Sequence, residues 1–114
     1  MLARDALEEG KKGEALLLYR SVIALASEHG DVLMMISGDL GKKGFAREAL
    51  NIVAPVYNPE KHGPMAGLNL VQACIDLKHM RQGEEILAAI ERLNRLDLKV
   101  YIERLHQQLS QLAR

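Results

Sequence analysis

The chain has 114 residues, of which 48% are hydrophobic and 26% charged, with a formal net charge of zero. This length suits one domain or one compact array of short repeats, and the composition argues against a disordered chain. The balanced charge argues against generic nucleic-acid binding. With one Phe, three Tyr and no Trp beside abundant Leu, Ala, Glu and Lys, we expect an all-α protein.

Cysteine usage and hydropathy bear on the compartment. Cys74 is the only cysteine, so an intrachain disulfide is excluded and a buried core thiol is expected. The longest apolar stretch, EALLLYRSVIALA, is interrupted by polar residues and falls short of the roughly 20 residues of a membrane span. Acidic residues stand in MLARDALEEG where a signal peptide has its apolar region. We therefore expect a cytoplasmic protein without a membrane span.

Helical periodicity runs through nearly the whole chain, and no strand pattern competes with it. Pro55 should kink or shorten its helix, and NPEKHGP at 58–64 is the one clear loop. Gly38 and Gly41 lie inside a predicted helix, where each costs roughly 1 kcal/mol against alanine, so both require an explanation. Seven helices are predicted, one at the N-terminus and the others within residues 13–30, 31–44, 45–57, 65–80, 83–96 and 98–113.

The tetrad Gly-Lys-Lys-Gly occurs twice, at 10–13 and 41–44, and suggests an internal repeat. A shift that brings Gly10 onto Gly41 aligns the two tetrads and little else. A shift that brings Gly10 onto Gly44 superimposes helix positions along the whole chain, so this longer spacing is the repeat period and the tetrad recurs out of register. The aligned sets are Leu2, Ile36 and Leu70; Ala3, Ser37 and Val71; Ala6, Leu40 and Cys74; Ala15, Ala49 and Gly83; and Tyr19, Val53 and Leu87.

A helix-turn-helix unit with the period that separates Gly10 from Gly44 resembles the tetratricopeptide repeat, whose units are about 34 residues long. The resemblance covers three units, at about 1–29, 30–63 and 64–97, followed by a capping helix at 98–113. It implies an all-α fold in which paired helices stack into a right-handed superhelix. The sequence therefore predicts a single repeat domain of seven helices.

Individual residues match the family pattern in part. The family places a small residue early in each second helix, where the paired helices approach closely, and Ala15, Ala49 and Gly83 hold that place. The glycine that ends the turn between paired helices matches Gly10 and Gly44. The third unit has a lysine instead, and the family's Trp and its Pro at the unit end are missing. The chain is thus a degenerate example of the pattern.

The resemblance also implies a binding site. In the family, the first helix of each unit lines a concave groove that binds a peptide or a helix of a partner protein. Gly38 on the groove wall would let a ligand backbone approach closely. The residues carried over to groove positions are Arg4 and Glu8 in the first unit, Met34, Gly38 and Lys42 in the second, and Leu68, Asn69, Gln72 and Asp76 in the third.

Motifs that would support other functions are missing from the sequence. The four histidines lie far apart and none has a partner at metal-ligand spacing, so no metal or other cofactor is expected. The tetrad lacks the Ser or Thr that follows the lysine of a phosphate-binding loop, and it lacks the residues that precede the Gly-Lys pair of that motif. No nucleophile motif is present. No helix is strongly basic, which disfavours nucleic acid as a partner. We predict a non-enzymatic interaction module in a larger, bacterial-style scaffold.

Two questions stay open on the sequence alone. The predicted first helix is short, so an apolar edge around Leu2, Ala6 and Leu7 would lack a neighbour. This edge favours either an upstream part of a longer protein or self-association. A small stand-alone chaperone, similar to those of secretion systems, is the alternative to a scaffold arm. A DNA-binding helical regulator is a further alternative.

Overall fold

The computed structural model describes residues 2–113. Over this range the chain is helical throughout and has no strand, which confirms the all-α prediction. Eight α-helices and two short 3-10 segments follow one another along the described chain. They are α1 (Leu2–Glu8), α2 (Lys12–Ala26), α3 (Gly30–Lys42), α4 (Ala46–Val53), the first 3-10 segment (Ala54–Val56), α5 (Pro59–His62), α6 (Met65–Leu77), α7 (Met80–Glu91), the second 3-10 segment (Leu96–Leu98) and α8 (Lys99–Leu112).

The predicted number of helices was wrong by one, because the segment read as a loop contains the single turn α5. The side chain of Asn58 caps this turn by accepting a hydrogen bond from the backbone N–H of Glu60 at 3.0 Å, and Pro59 occupies its first position. His62 ties α5 to the end of α2, since its Nε2 lies 2.7 Å from the carbonyl oxygen of Ser27. The prediction for Pro55 is confirmed, because α4 ends just before it and continues as a 3-10 turn.

The turns between α1 and α2, α3 and α4, and α6 and α7 are closely alike. Gly10, Gly44 and Lys78 all have left-handed backbones, with φ of 82°, 79° and 61°. Each turn also has the long hydrogen bond of a Schellman motif. These bonds run from Lys11 N to Ala6 O at 2.9 Å, from Phe45 N to Leu40 O at 2.9 Å, and from His79 N to Cys74 O at 2.8 Å. The repeat period is therefore present in the backbone, in the register that brings Gly10 onto Gly44 and Gly44 onto Lys78.

Lys78 is the strained member of this set, because a Cβ atom disfavours the left-handed conformation. Replacing Lys78 with glycine is expected to raise the free energy of unfolding by about 1 kcal/mol. Lys43→Gly is the matched control, since Lys43 closes α3 with a φ of −90° that lysine adopts freely. Chemical denaturation measures both variants. Equal stability of Lys78→Gly and Lys43→Gly would contradict the assigned turn geometry.

The helices pack mainly on their neighbours in sequence. The pairs α1–α2, α3–α4 and α6–α7 each pack together, α6 also packs on α3 and α4, and α8 packs on α6 and α7. The positions aligned by the repeat period supply most of the centre of this core. The members that are buried include Ala3, Ser37 and Val71; Ala6, Leu40 and Cys74; Ala15, Ala49 and Gly83; and Tyr19, Val53 and Leu87.

Close helix approach explains the small residue early in α7. A Cβ atom placed on Gly83 would lie 3.2 Å from the Cβ of Cys74 in α6 and 2.7 Å from a methyl group of Leu109 in α8. The predicted burial of Cys74 is confirmed, and burial raises the pKa of its thiol to about 11. The small residue therefore sets how closely α6 and α8 pack on α7.

The N-terminal edge differs from its prediction. Ala6 and Leu7 are buried, because α1 packs along α2, so the expected apolar edge was wrong for these two residues. Leu2 is 75% exposed, whereas its equivalents Ile36 and Leu70 are fully buried. Of the three residues named for this edge, only Leu2 is exposed, and the choice between an upstream part of a longer protein and self-association stays a prediction. No helix in residues 2–113 combines the length and apolar character needed to cross a membrane.

Candidate binding groove

Two clefts adjoin along α1, α3 and α6, and Lys42 lines both of them. The cleft between α1 and α3 has a volume of about 270 Å³, and the cleft between α3 and α6 about 260 Å³. We call the two together the Lys42 groove. Its lining residues are Arg4, Leu7, Glu8, Asp39, Lys42 and Lys43 in the first cleft, and Ser37, Gly38, Gly41, Lys42, Asn69, Gln72, Ala73 and Asp76 in the second.

Seven of the nine residues predicted for a groove line these clefts. Met34 is partly exposed but lies outside both linings, and its carbonyl oxygen accepts a hydrogen bond from Asn69 at 3.2 Å. Leu68 was predicted wrongly, since it is only 3% exposed and packs in a cluster with residues of α7 and α8. It faces the capping side of α6 instead of the groove, because α8 covers it.

The first cleft is built around a partly buried carboxylate, that of Asp39, which accepts two hydrogen bonds. Asp39 accepts a hydrogen bond from the hydroxyl of Tyr19 at 2.9 Å and another from Nε of Arg4 at 3.1 Å. Burial, followed by the bond to Asp39, raises the pKa of Tyr19, and the same carboxylate raises the pKa of Arg4. Arg4 is therefore committed to holding α1 against α3.

Lys42 and Lys43 are exposed, and neither forms an ion pair with any residue in the range 2–113. Glu8 shares the first cleft with both lysines, and Asp76 shares the second with Lys42. The groove thus offers an unpaired cation at its centre and a carboxylate toward each end. Such a surface suits a ligand with charges of both signs, or a polar backbone, better than a purely apolar one.

Amide side chains form the wall of the second cleft on α6. Asn69 donates through Nδ2 to Oγ of Ser37 at 3.1 Å, and Ser37 in turn donates to the carbonyl of Leu33 at 2.8 Å. Gln72 donates to the carboxylate of Asp76 at 3.2 Å. The Asn69 bonds fix α6 beside α3, and the Gln72 bond, which lies within α6, orients its own amide group. The polar wall is therefore ordered before any ligand binds.

Gly38 and Gly41 form the α3 side of the same cleft, and helix packing requires neither of them. A Cβ atom on Gly38 would make an ordinary contact, 3.6 Å from Nδ2 of Asn69, and one on Gly41 would have no neighbour within 4 Å. Both glycines have helical backbones and lower the helix stability relative to alanine. Their structural effect is to leave bare backbone on the groove surface.

A second surface, which the sequence analysis missed, lies between α4 and α7. Its main cleft has a volume of about 430 Å³ and is the largest of the clefts described here. We call this main cleft the α4–α7 cleft. Its lining residues are Arg47, Leu50, Asn51, Ala54, Pro55, Leu77, His79 and Gln82. Arg47 and Asn51 are exposed positions of α4, His79 is the exposed residue before α7, and Gln82 is partly buried in α7, so periodicity alone does not bring them together.

The described part of the chain, residues 2–113, holds no group of three or more His, Cys, Asp or Glu side chains placed to bind a metal ion. No family model, no curated protein and no solved structure matches this chain. The tetratricopeptide resemblance therefore rests on the repeat period of the chain itself.

Proposed function

We propose that this chain is a non-enzymatic interaction module of the tetratricopeptide type, which binds a peptide or helical segment of a partner protein in the Lys42 groove. The observation that carries the proposal is the convergence of seven expected residues on two clefts that meet at Lys42. The three Schellman turns, each one repeat period from the next, add support for the repeat architecture.

The chemistry of the groove supports a partner that presents its backbone. Bare helix at Gly38 and Gly41 allows main-chain atoms to approach closely, and the amides of Asn69 and Gln72 lie opposite. Lys42 supplies an unpaired charge for a partner carboxylate. A segment lying along the groove would therefore find hydrogen-bond partners on one wall and space on the other.

Gly41→Gln is expected to abolish partner capture without loss of stability. The new side chain extends into the second cleft, its Cβ atom has no neighbouring atom within 4 Å, and the substitution improves helix propensity by about 0.5 kcal/mol. Gly13→Gln is the matched control, because Gly13 is also a helical glycine with open space but lies on α2, outside the groove. Affinity capture from the source cell, followed by mass spectrometry, compares the two variants with the wild type.

The outcome separates binding from folding. Partners should be recovered with the wild type and with Gly13→Gln, and lost with Gly41→Gln, while both variants unfold at denaturant concentrations similar to or higher than that of the wild type. Equal recovery of the same partners with both variants would refute the groove proposal.

A further inference from the structure

The α4–α7 cleft exists because α4 and α7 each pack on α6 but scarcely contact one another. α6 contributes Leu77 to the main cleft and Leu70 to a smaller cleft that adjoins it. The smaller cleft has a volume of about 260 Å³ and shares Ala54 and Gln82 with the main one. The two together form a continuous recess along the side of α6 that the Lys42 groove does not use.

The corresponding place one repeat earlier, between α2 and α4, is filled by the protein itself. Nζ of Lys12 lies 4.4 Å from the ring centroid of Phe45 and 2.8 Å from a carboxylate oxygen of Glu48. This contact joins the two helices through a cation–π interaction and a salt bridge. It also holds the pKa of Glu48 below its usual value through the hydrogen bond from Lys12.

A shift by one repeat period replaces all three members of this contact. Lys12 becomes Ala46, Phe45 becomes His79, and Glu48 becomes Gln82. Ala46 carries no charge and Gln82 no carboxylate, so the cation–π interaction and the salt bridge that join α2 to α4 have no counterpart at these places between α4 and α7. The recess is therefore a departure of the third unit from the second. It is open because the side chains that join α2 to α4 are not repeated between α4 and α7.

The charge of the main cleft has one sign. Arg47 and His79 are its only ionisable lining residues, no carboxylate lines it, and neither residue forms an ion pair within residues 2–113. The amides of Asn51 and Gln82 lie beside them, above an apolar floor that includes Leu50. This arrangement complements a carboxylate that approaches next to an apolar group.

The smaller cleft has a different character and accepts an apolar side chain. Its lining includes Tyr57, Leu70, Ile86 and Ala89, with Glu85 as its one carboxylate. The hydroxyl of Tyr57 is fixed by donation to the carbonyl of Gly63 at 2.7 Å, so its ring forms a rigid wall. The recess thus runs from a cationic end at Arg47 to an apolar end at Tyr57.

We propose that the α4–α7 cleft and the smaller cleft beside it together form a second docking site, which binds an acidic segment of a partner protein. A carboxylate of that segment lies against Arg47 and His79, and a neighbouring apolar side chain enters the smaller cleft beside Tyr57. This site is independent of the Lys42 groove, since the two surfaces share no lining residue.

The test is a titration of the ¹⁵N-labelled 114-residue protein with the acetylated and amidated peptide Glu-Glu-Leu-Leu, followed by amide chemical shifts. We expect saturable shifts at residues lining the α4–α7 cleft and none in the Lys42 groove. Arg47→Glu should weaken binding at least about tenfold. Arg20→Glu, on the exposed side of α2, is the matched control and should bind as the wild type does.

Two further probes define the occupant. The peptide Lys-Lys-Leu-Leu should not bind, and inorganic phosphate should not reproduce the shifts at the smaller cleft. The proposal is overturned if Arg47→Glu binds as tightly as Arg20→Glu, if the basic peptide binds equally, if phosphate alone gives the full pattern, or if millimolar acidic peptide shifts no residue of the cleft.

Discussion

Replacing Tyr19 with alanine is expected to lower the free energy of unfolding by about 3–5 kcal/mol. The side chain of Tyr19 is fully buried in the main core, and its hydroxyl donates to Asp39. Truncation leaves a cavity between α2 and α3 and removes one partner of a carboxylate that also orients Arg4. The substitution therefore weakens both the packing and the polar contact that join the first helix pair to the second.

One further variant separates the packing part of this loss from the hydrogen-bond part, and another is the control. Tyr19→Phe keeps the ring and removes the hydrogen bond, so it should cost about 1–2 kcal/mol. Tyr101→Ala, on an exposed position of α8, is the matched aromatic truncation and should stay within about 0.5 kcal/mol of the wild type. Denaturant titrations measure all three variants. A loss below about 1 kcal/mol for Tyr19→Ala would be inconsistent with the burial described here.

Replacing Leu105 with alanine should cost about 2–5 kcal/mol. Leu105 is buried in the cluster where α8 meets α6 and α7, together with Leu68 and Leu87. Losing its side chain weakens the attachment of α8, which is the element that keeps Leu68 out of solvent. Hydrogen exchange of backbone amides in α8 should accelerate more than exchange in α3.

Val100→Ala provides the comparison on the same helix, because Val100 is 71% exposed and makes no part of the cluster. Its unfolding free energy should differ from the wild type by no more than about 0.5 kcal/mol. If Leu105→Ala and Val100→Ala were equally stable, α8 would not be docked through the face assigned to it.

Sequence reasoning predicted the all-α fold and the core because both follow from local periodicity. Leu33, Ile36, Ser37 and Leu40 fall on one face of α3 at three- and four-residue steps, and all four are buried. The repeat register could also be predicted from the sequence, since it depends on spacing alone. The left-handed backbone at Lys78 supports this register, whereas the residue type at Lys78 does not match the glycine of the other two units. A position with positive φ keeps its geometry in the third unit although its side chain differs.

The failures concern contacts between elements that are distant in sequence or defined only in three dimensions. Leu68 has the spacing of a groove residue, but which side of α6 is covered depends on where α8 docks. The α4–α7 cleft was missed because its lining residues come from α4, the end of α6 and the start of α7, which only the folded chain brings together. A signal was available, since the Lys12, Phe45 and Glu48 set changes to Ala46, His79 and Gln82 after one period.

The most direct test of the groove is photo-cross-linking in the source cell, with p-benzoylphenylalanine placed at Glu8 or at Glu14. Both positions are exposed, but Glu8 lines the first cleft whereas Glu14 lies on α2. We expect a discrete adduct from position 8, none from position 14, and loss of the adduct when Gly41→Gln is added. The same adduct from both positions, or an adduct that persists with Gly41→Gln, would contradict binding of a partner in the Lys42 groove.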